Sequence, residues 1–163
     1  MNKSILEMTL VVPAEGDLRL CKGALSLGSN RHQSGMRGVF LVAAELTAHG
    51  LIVSPTSRGA FGADLLVTDS GCNRAWSVQV KTNTTTFGFW LLNEKARSLV
   101  SPSHVYVLVN LRKDKPPECF VVPSRVVAER MVVEPAARST FYSLYNDEIV
   151  QQYREKWSLF EGE

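Results

Sequence analysis

Three polar residues have the types and the spacing of a site that binds a hard cation. Asp64 begins an apolar segment, and in a later segment Gln79 and Lys81 alternate with Val78 and Val80. Carboxylate and carboxamide oxygens suit a cation such as Mg²⁺, which often keeps several waters while it binds one or two carboxylates. A lysine beside such a cation can orient a water or stabilise charge that develops on a phosphate.

The segments around these residues have the patterns of two neighbouring β-strands. Residues 64–68 form an apolar run that begins on the acid, and the sequence Asp-Ser-Gly at 69–71 supplies turn chemistry. Residues 76–82 alternate strictly, so Gln79 and Lys81 share one face of their strand. Gln79 follows Asp64 by 15 positions, which suits antiparallel neighbours whose facing residues lie within about 5 Å.

A helix is predicted before the two strands, with Ser34 as its N-cap and Gly50 as its stop. Apolar residues at helical spacing line one of its faces: Val39, Val42, Ala43 and Leu46. Glu45 lies roughly 110° from the centre of that face, at about 100° per residue. We therefore predict that Glu45 stands at the border of the buried stripe, where its carboxylate can face a groove.

The remaining segments extend the sheet and add helices around it. Strands are predicted where apolar runs lie between turn-forming segments, at residues 51–54, 87–92, 105–111 and 118–122. One helix is predicted at 124–132, and a C-terminal helix is indicated by apolar residues at spacings of four, four and three: Ile149, Tyr153, Trp157 and Phe160. This order predicts an α/β fold with a mixed central β-sheet flanked by α-helices.

Length and composition predict one globular domain. The chain has 163 residues, of which 45% are apolar and 21% charged, as in ordinary globular proteins. Residues 1–33 differ in pattern from the rest, so we predict that they form an N-terminal extension and that residues 34–163 form the α/β domain. The net charge of +2 excludes a polycation held to nucleic acid by bulk charge alone, but it permits a local basic groove.

Three other classes of protein do not fit the sequence. No uninterrupted apolar run approaches the roughly 18 residues of a membrane helix, and Glu7 stands where a signal peptide would carry its apolar stretch. The cysteines are odd in number and form no CxxC pair, which argues against a disulfide scaffold or a zinc ribbon. We expect a cytoplasmic protein with no membrane partner.

The segments Gly62-Ala63-Asp64 and Val78-Gln79-Val80-Lys81-Thr82 resemble the PD-(D/E)XK nuclease superfamily, which has a restriction-endonuclease-like fold. The resemblance runs from about residue 34 to 125. The segments Trp90-Leu91-Leu92 and Phe120-Val121-Val122-Pro123-Ser124 resemble small uncharacterised bacterial members of the superfamily. It is a QxK variant, because Gln79 replaces the usual second acid, and Ala63 replaces the usual proline. The resemblance implies that Asp64 is the principal metal ligand, that Gln79 and the carbonyl of Val80 complete the metal shell, and that Lys81 is the catalytic lysine. It also implies that Glu45 occupies the position of an occasional metal-site glutamate.

The resemblance implies hydrolysis of DNA phosphodiester bonds with Mg²⁺ or Mn²⁺, and so an endonuclease-like, magnesium-dependent deoxyribonuclease. Because cutting both strands of a duplex usually needs two sites, a homodimer is one expected arrangement. The alternative is a catalytically inactive module on the same fold, in which Gln79 marks a site that no longer turns over. Such a module would bind DNA or a protein partner, in a setting such as phage defence or mobile-element biology.

Local basic residues predict where DNA would lie. Basic side chains cluster between residues 19 and 37 and between 95 and 115, and such clusters can contact phosphates without reading sequence. The residues that we predict to contact nucleic acid are Arg37, Arg58, Lys95 and Arg97. Phe87, Phe89 and Trp90 can stack on bases, but aromatic residues in strands more often belong to the core, and we expect that role for them.

Overall fold

The structure is a computed structural model that describes residues 31–57, 62–136 and 139–161. Three α-helices span Arg31–Ala48 (α1), Ser124–Arg130 (α2) and Glu148–Gln151 (α3), and two 3-10 helices span Glu94–Arg97 and Trp157–Phe160. No helix among these residues is long and apolar enough to cross a membrane. The eight strands are β1 (Ile52–Pro55), β2 (Leu65–Thr68), β3 (Ala75–Asn83), β4 (Phe89–Leu91), β5 (His104–Asn110), β6 (Glu118–Pro123), β7 (Val132–Pro135) and β8 (Thr140–Tyr145).

The central sheet has five strands in the order β1-β2-β3-β5-β6. Every neighbouring pair is antiparallel except β3 and β5, which are parallel. All seven residues of β5 are buried, as expected of a strand that is covered on both faces. The predicted mixed sheet flanked by helices is therefore confirmed.

A second sheet of three antiparallel strands, in the order β4-β8-β7, was not expected beyond its first strand. The predicted helix over 124–132 ends at Arg130, and residue 132 already belongs to β7. All four residues of β7 are exposed, so this segment lacks the alternation of buried and exposed residues by which a strand is recognised in a sequence.

Two apolar cores lie on opposite faces of the central sheet. One contains Val78 and Val80 of β3 together with Val39, Val42 and Leu46 of α1. The other contains Tyr106 and Leu108 of β5, Phe120 of β6, and residues of the second sheet, α2 and α3: Trp90, Leu144, Val127 and Val150. Thus α1 and the 3-10 helix Trp157–Phe160 cover one face, and α2, α3 and the second sheet cover part of the other.

Helix α1 lies directly against β3. Gly38 faces Thr82 so closely that a side chain at position 38 would collide with the threonine hydroxyl. The helix begins at Arg31, before the predicted cap Ser34, so residues 31–33 of the predicted extension belong to the helix. The rest of the predicted extension, residues 1–30, lies outside the described residues.

The predicted single C-terminal helix is wrong. The chain forms α3, pairs at Arg154 with Phe120 of β6, takes a positive φ of 49° at Glu155, and ends in the 3-10 helix Trp157–Phe160. Tyr153 packs against one core, whereas Trp157 belongs to the other. One straight helix cannot serve both faces of a sheet, so the chain must turn around its β6 edge.

Candidate active site at the start of strand β2

Strand β3 brings Gln79 and Lys81 to the face opposite α1. Val78 and Val80 belong to the core under α1, and side chains alternate along a strand, so Gln79 and Lys81 point the other way. The register confirms this orientation, because Gln79 is paired with Tyr106 and Lys81 with Leu108, both members of the second core. Gln79 and Lys81 are each half-buried.

The backbone of Asp64 is fixed where β2 begins. Its N–H donates to the carbonyl of Val78 at 2.8 Å, and its carbonyl accepts from the N–H of Thr56 at 3.0 Å. The Thr56 hydroxyl also donates to the carbonyl of Ala63 at 2.7 Å. Thr56 thus holds the turn before Asp64 from the side of β1, a positioning role that no motif in the sequence indicates.

The carboxylate of Asp64 accepts hydrogen bonds from β3, just before the first paired residue of β2. The β2–β3 register ends at Leu65 opposite Val78, and Asp64 Oδ2 then accepts from the N–H of Val80 at 2.8 Å. The same oxygen accepts from Nε2 of Gln79. In an extended strand the N–H and C=O of one residue point to the same side, so the Val80 carbonyl also points toward the Asp64 edge.

Lys81 is electrostatically coupled to Asp64. Burial lowers the pKa of the Lys81 ammonium below its ordinary value, and the nearby Asp64 carboxylate opposes that shift. The half-buried position favours the neutral amine, since water no longer fully solvates the charge. The structure therefore brings Asp64, Gln79 and Lys81 together on one face of the sheet.

The donor atoms at this position suit a hard divalent cation. Asp64 supplies a carboxylate, Val80 a backbone carbonyl, and Gln79 a carboxamide oxygen if its amide turns end for end. The described residues contain no group of three or more His, Cys, Asp or Glu side chains that could hold a metal. The residues thus fit Mg²⁺ or Mn²⁺ as a site with one carboxylate, which relies on water and substrate phosphate for its other ligands.

Glu45 does not lie with these three residues. Its side chain is exposed on α1, and α1 covers the face opposite Gln79 and Lys81. The charge of Glu45 is felt instead at Cys119 of β6, whose pKa is raised to about 12 by burial first, then by Glu155 and Glu45. A metal-ligand role for Glu45 stays a prediction from the sequence, without a supporting contact among the described residues.

The four predicted DNA contacts fall in different parts of the structure. Arg37 is exposed on α1, and Lys95 and Arg97 are exposed on the 3-10 helix Glu94–Arg97. This 3-10 helix leads to Leu99, whose side chain lies against Gly62, two residues before Asp64. Lys95 and Arg97 are thus carried by a segment that adjoins the Asp64 loop. Arg58 lies outside the described residues.

The aromatic residues expected in the core divide into two groups. Trp90 is buried and donates its indole N–H to the carbonyl of Val109 at 3.1 Å. Phe87, by contrast, is 60% exposed, and Phe89 is half-buried. The sequence pattern alone could not separate them, because period-2 alternation does not say which face of β4 meets the core.

Comparison with solved structures identifies the fold. The structure described as that of a bacterial homing endonuclease, I-Ssp6803I, matches with a TM-score of 0.55 and 16% sequence identity, over 83% of this chain and 94% of that chain. The fold is restriction-endonuclease-like. A Holliday junction resolvase from Archaeoglobus fulgidus, Hjc, matches with a TM-score of 0.41 and 13% identity, over 71% of this chain and 92% of that chain.

The comparison confirms the fold class predicted from the sequence. No protein-family model matches the chain, and no curated protein matches it in sequence. The likeness is therefore one of fold, and the function has to be argued from the residues of the site.

Proposed function

We propose that this protein is a metal-dependent nuclease that hydrolyses phosphodiester bonds in DNA. The observation that carries the proposal is the convergence of Asp64, Gln79 and Lys81 on one face of the sheet, at the point where β2 begins. Its restriction-endonuclease-like fold, shared with a homing endonuclease, supports the same reading by analogy.

The proposed cation site is formed by Asp64, Gln79 and the carbonyl of Val80. A bound Mg²⁺ or Mn²⁺ would supply Lewis-acid stabilisation of the charge that develops on the scissile phosphate. Asp64 provides the only formal negative charge among these three donors, so we expect metal binding to be weak without DNA and to strengthen when phosphate oxygens complete the shell.

Lys81 is proposed to act on the attacking water. Burial lowers the pKa of Lys81 and so raises the fraction of neutral amine. That amine can accept a proton from water as the water oxygen bonds to phosphorus and the bond from phosphorus to the leaving oxygen breaks. The coupling to Asp64 keeps the ammonium that results near a carboxylate. Gln79 positions Asp64, because its carboxamide donates a hydrogen bond to the Asp64 carboxylate.

Basic side chains near the site are proposed to hold the DNA backbone. Lys95 and Arg97 lie on the segment that reaches Gly62, and Arg58 belongs to the loop before Asp64 in the sequence. Such contacts fix orientation without reading sequence, so binding should weaken steeply as salt rises. Arg37, on α1, would extend this contact, and a homodimer would supply the second site needed to cut both strands.

The decisive experiment is cleavage of supercoiled plasmid by Asp64→Asn, with Mn²⁺ and with Mg²⁺. The variant keeps a side-chain oxygen that can accept from the Val80 N–H, but it removes the anion. We expect cleavage to fall by at least about 100-fold, since a charged metal ligand is lost. Glu94→Gln is the matched control, because it removes an exposed carboxylate from the 3-10 helix and should leave cleavage unchanged.

Two results would contradict the enzyme proposal. One is equal cleavage by wild type and Asp64→Asn. The other is a wild-type protein that neither nicks plasmid nor gains thermal stability when Mn²⁺ is added. The second result, combined with DNA or partner binding that survives Lys81→Ala, would favour the inactive binding module.

A further inference from the structure

A cavity of about 490 Å³ opens next to Lys81, between the end of β3 and the outer face of the second sheet. Its volume lies within the range of about 300–1,000 Å³ that is usual for small-ligand sites. Lys81 is the only cation among the described residues that line it. The cavity is therefore continuous with the proposed active site.

Aromatic rings form a ladder along one wall of this cavity. The rings of Phe87 and Phe89 are stacked, with centroids 5.5 Å apart and planes 27° apart. Tyr145 continues the series at 5.6 Å from Phe89. Phe87 is 60% and Tyr145 42% exposed, and apolar surface grouped in this way typically marks a binding site.

A buried hydroxyl without a partner faces the same cavity. Ser143 is 3% exposed, and its Oγ has no hydrogen-bond partner among the described residues. It shares the outer face of the sheet with Phe89 and Tyr145, because Phe89 is paired with Tyr145 and Leu91 with Ser143. An unsatisfied buried hydroxyl is costly, and a polar edge on a ligand would satisfy it.

The aromatic wall is held in place before any ligand arrives. Nδ2 of the buried Asn83 donates to the carbonyls of Phe87 and Phe89 at 2.7 and 2.8 Å. Arg112 in turn donates to the carbonyl of Asn83 at 2.9 Å. A preorganised platform loses little conformational entropy on binding, which favours affinity.

The charges in the cavity indicate which part of a nucleotide would enter it. Glu134 lines the wall and lies within hydrogen-bond reach of the Tyr145 hydroxyl, at 3.4 Å. The Glu134 carboxylate disfavours a phosphate beside it, whereas the Lys81 ammonium favours one. A flat, uncharged group with hydrogen-bonding edges suits the rest of the cavity, whose lining residues are aromatic, apolar or uncharged polar.

We propose that this cavity binds an unpaired nucleobase of the DNA substrate, with the phosphate of the same nucleotide near Lys81; this inference rests on the proposed nuclease function. The base stacks on the Phe87–Phe89–Tyr145 ladder and presents a polar edge to Ser143. A base within a regular duplex has both faces covered by its neighbours, so it cannot enter. The site therefore favours DNA with a bulge, a mismatch or a single-stranded segment over continuous duplex.

The test measures binding without divalent cations, so that cleavage plays no part. Two fluorescent DNA probes are compared: a fully paired duplex, and the same duplex with one unpaired 2-aminopurine. We expect Phe87→Ala to weaken binding of the unpaired probe by at least about fivefold, the loss that corresponds to one stacked base. The affinity of Phe87→Ala for the paired duplex should stay within about twofold of the wild-type affinity.

Two further variants sharpen this test. Phe40→Ala removes an aromatic ring of similar exposure, 58%, from α1 on the opposite side of the sheet, and it should change neither affinity. Phe87→Trp keeps a stacking surface and should restore binding of the unpaired probe. Wild-type protein should quench the 2-aminopurine fluorescence by stacking, and Phe87→Ala should not.

Equal binding of the unpaired probe by wild type and Phe87→Ala would overturn the proposal, and so would unchanged 2-aminopurine fluorescence on binding of wild type. This failure is separable from failure of the nuclease function. Loss of cleavage in Asp64→Asn together with normal base binding by Phe87→Ala would leave the nuclease and remove the base site. Absent cleavage together with Phe87-dependent base binding would remove the nuclease function and leave the base site.

Discussion

Along β3, the two faces of the central sheet carry different kinds of side chain. Val78 and Val80 face α1 and are 0% and 7% exposed among apolar neighbours. Gln79 and Lys81 face the other way and meet Asp64. The apolar face is closed by a helix that lies directly on it at Gly38, whereas the polar face is open at the cavity beside Lys81.

This difference shows that one strand can contribute to stability with one face and to the site with the other. Apolar residues on one face supply the burial that stabilises the fold, and this offsets the cost of half-burying Lys81 on the other. Because side chains alternate, a shift of β3 by one residue in its pairing would move the apolar side chains to the face of the site and the polar side chains to the face under α1. Register is therefore fixed by the core and determines the geometry of the site.

The largest effect in this comparison is expected on the apolar face. Leu65→Ala removes a side chain with no exposed surface beside Asp64, and it should lower the free energy of unfolding by about 2–5 kcal/mol. The next residue, Leu66, is 53% exposed, so Leu66→Ala should change the free energy of unfolding by less than about 0.5 kcal/mol. Urea unfolding measures both, and equal losses would refute the assignment of the two faces.

A smaller effect is expected from restoring a second acid. Gln79→Glu should lower the Mn²⁺ concentration for half-maximal cleavage by about tenfold, or about 1.4 kcal/mol of binding free energy, because two carboxylates then hold the cation. Without metal it should be less stable than wild type, since like charges replace the hydrogen bond from Gln79 to Asp64.

Gln152→Glu is the control for this charge change, because Gln152 is exposed just beyond α3. It should alter neither the Mn²⁺ dependence of cleavage nor the thermal stability in a chelator. An unchanged Mn²⁺ requirement in Gln79→Glu would show that position 79 lies outside the cation site.

The smallest effect concerns the charge on Lys81. Its pKa is lowered in the folded protein, so folding disfavours the ammonium, and stability rises with pH between the folded pKa and the ordinary value of 10.5. Lys81→Met should thus raise the free energy of unfolding at neutral pH by about 1 kcal/mol or less, while it impairs cleavage.

The stabilisation by Lys81→Met should shrink as pH approaches 10.5, because the unfolded chain then loses the lysine charge as well. Lys113→Met, in the exposed loop after β5, is the control and should have no such pH dependence. A Lys81→Met protein that is less stable than wild type at neutral pH would show that the ammonium stabilises the fold.

The parts of the fold with strong periodicity were predictable. The alternation in residues 76–82 predicted β3 and the shared face of Gln79 and Lys81, and the spacing of Val39, Val42 and Leu46 predicted the buried side of α1. These sequence patterns match the observed burial because each element packs one face into a core. The second sheet escaped detection because β7 is exposed throughout and has no apolar face.

The placement of Glu45 could not be derived from its own helix. A helical wheel gives the angle between Glu45 and the buried stripe, but not which face of the sheet the helix covers. Likewise the spacing of Tyr153 and Trp157 fits one helix, although the two residues serve opposite cores. The wrong C-terminal helix and the separation of Glu45 from Asp64 both concern tertiary placement, which local spacing does not encode.

The hydrogen bond from the Val80 N–H to Asp64 makes that single amide a spectroscopic reporter. An amide proton bonded directly to a carboxylate responds to changes in its charge, because the bond to an ionised acceptor is shorter and stronger than one to a neutral acceptor. One backbone resonance, followed as Mg²⁺ is added, would thus register ion occupancy of the carboxylate without any substrate.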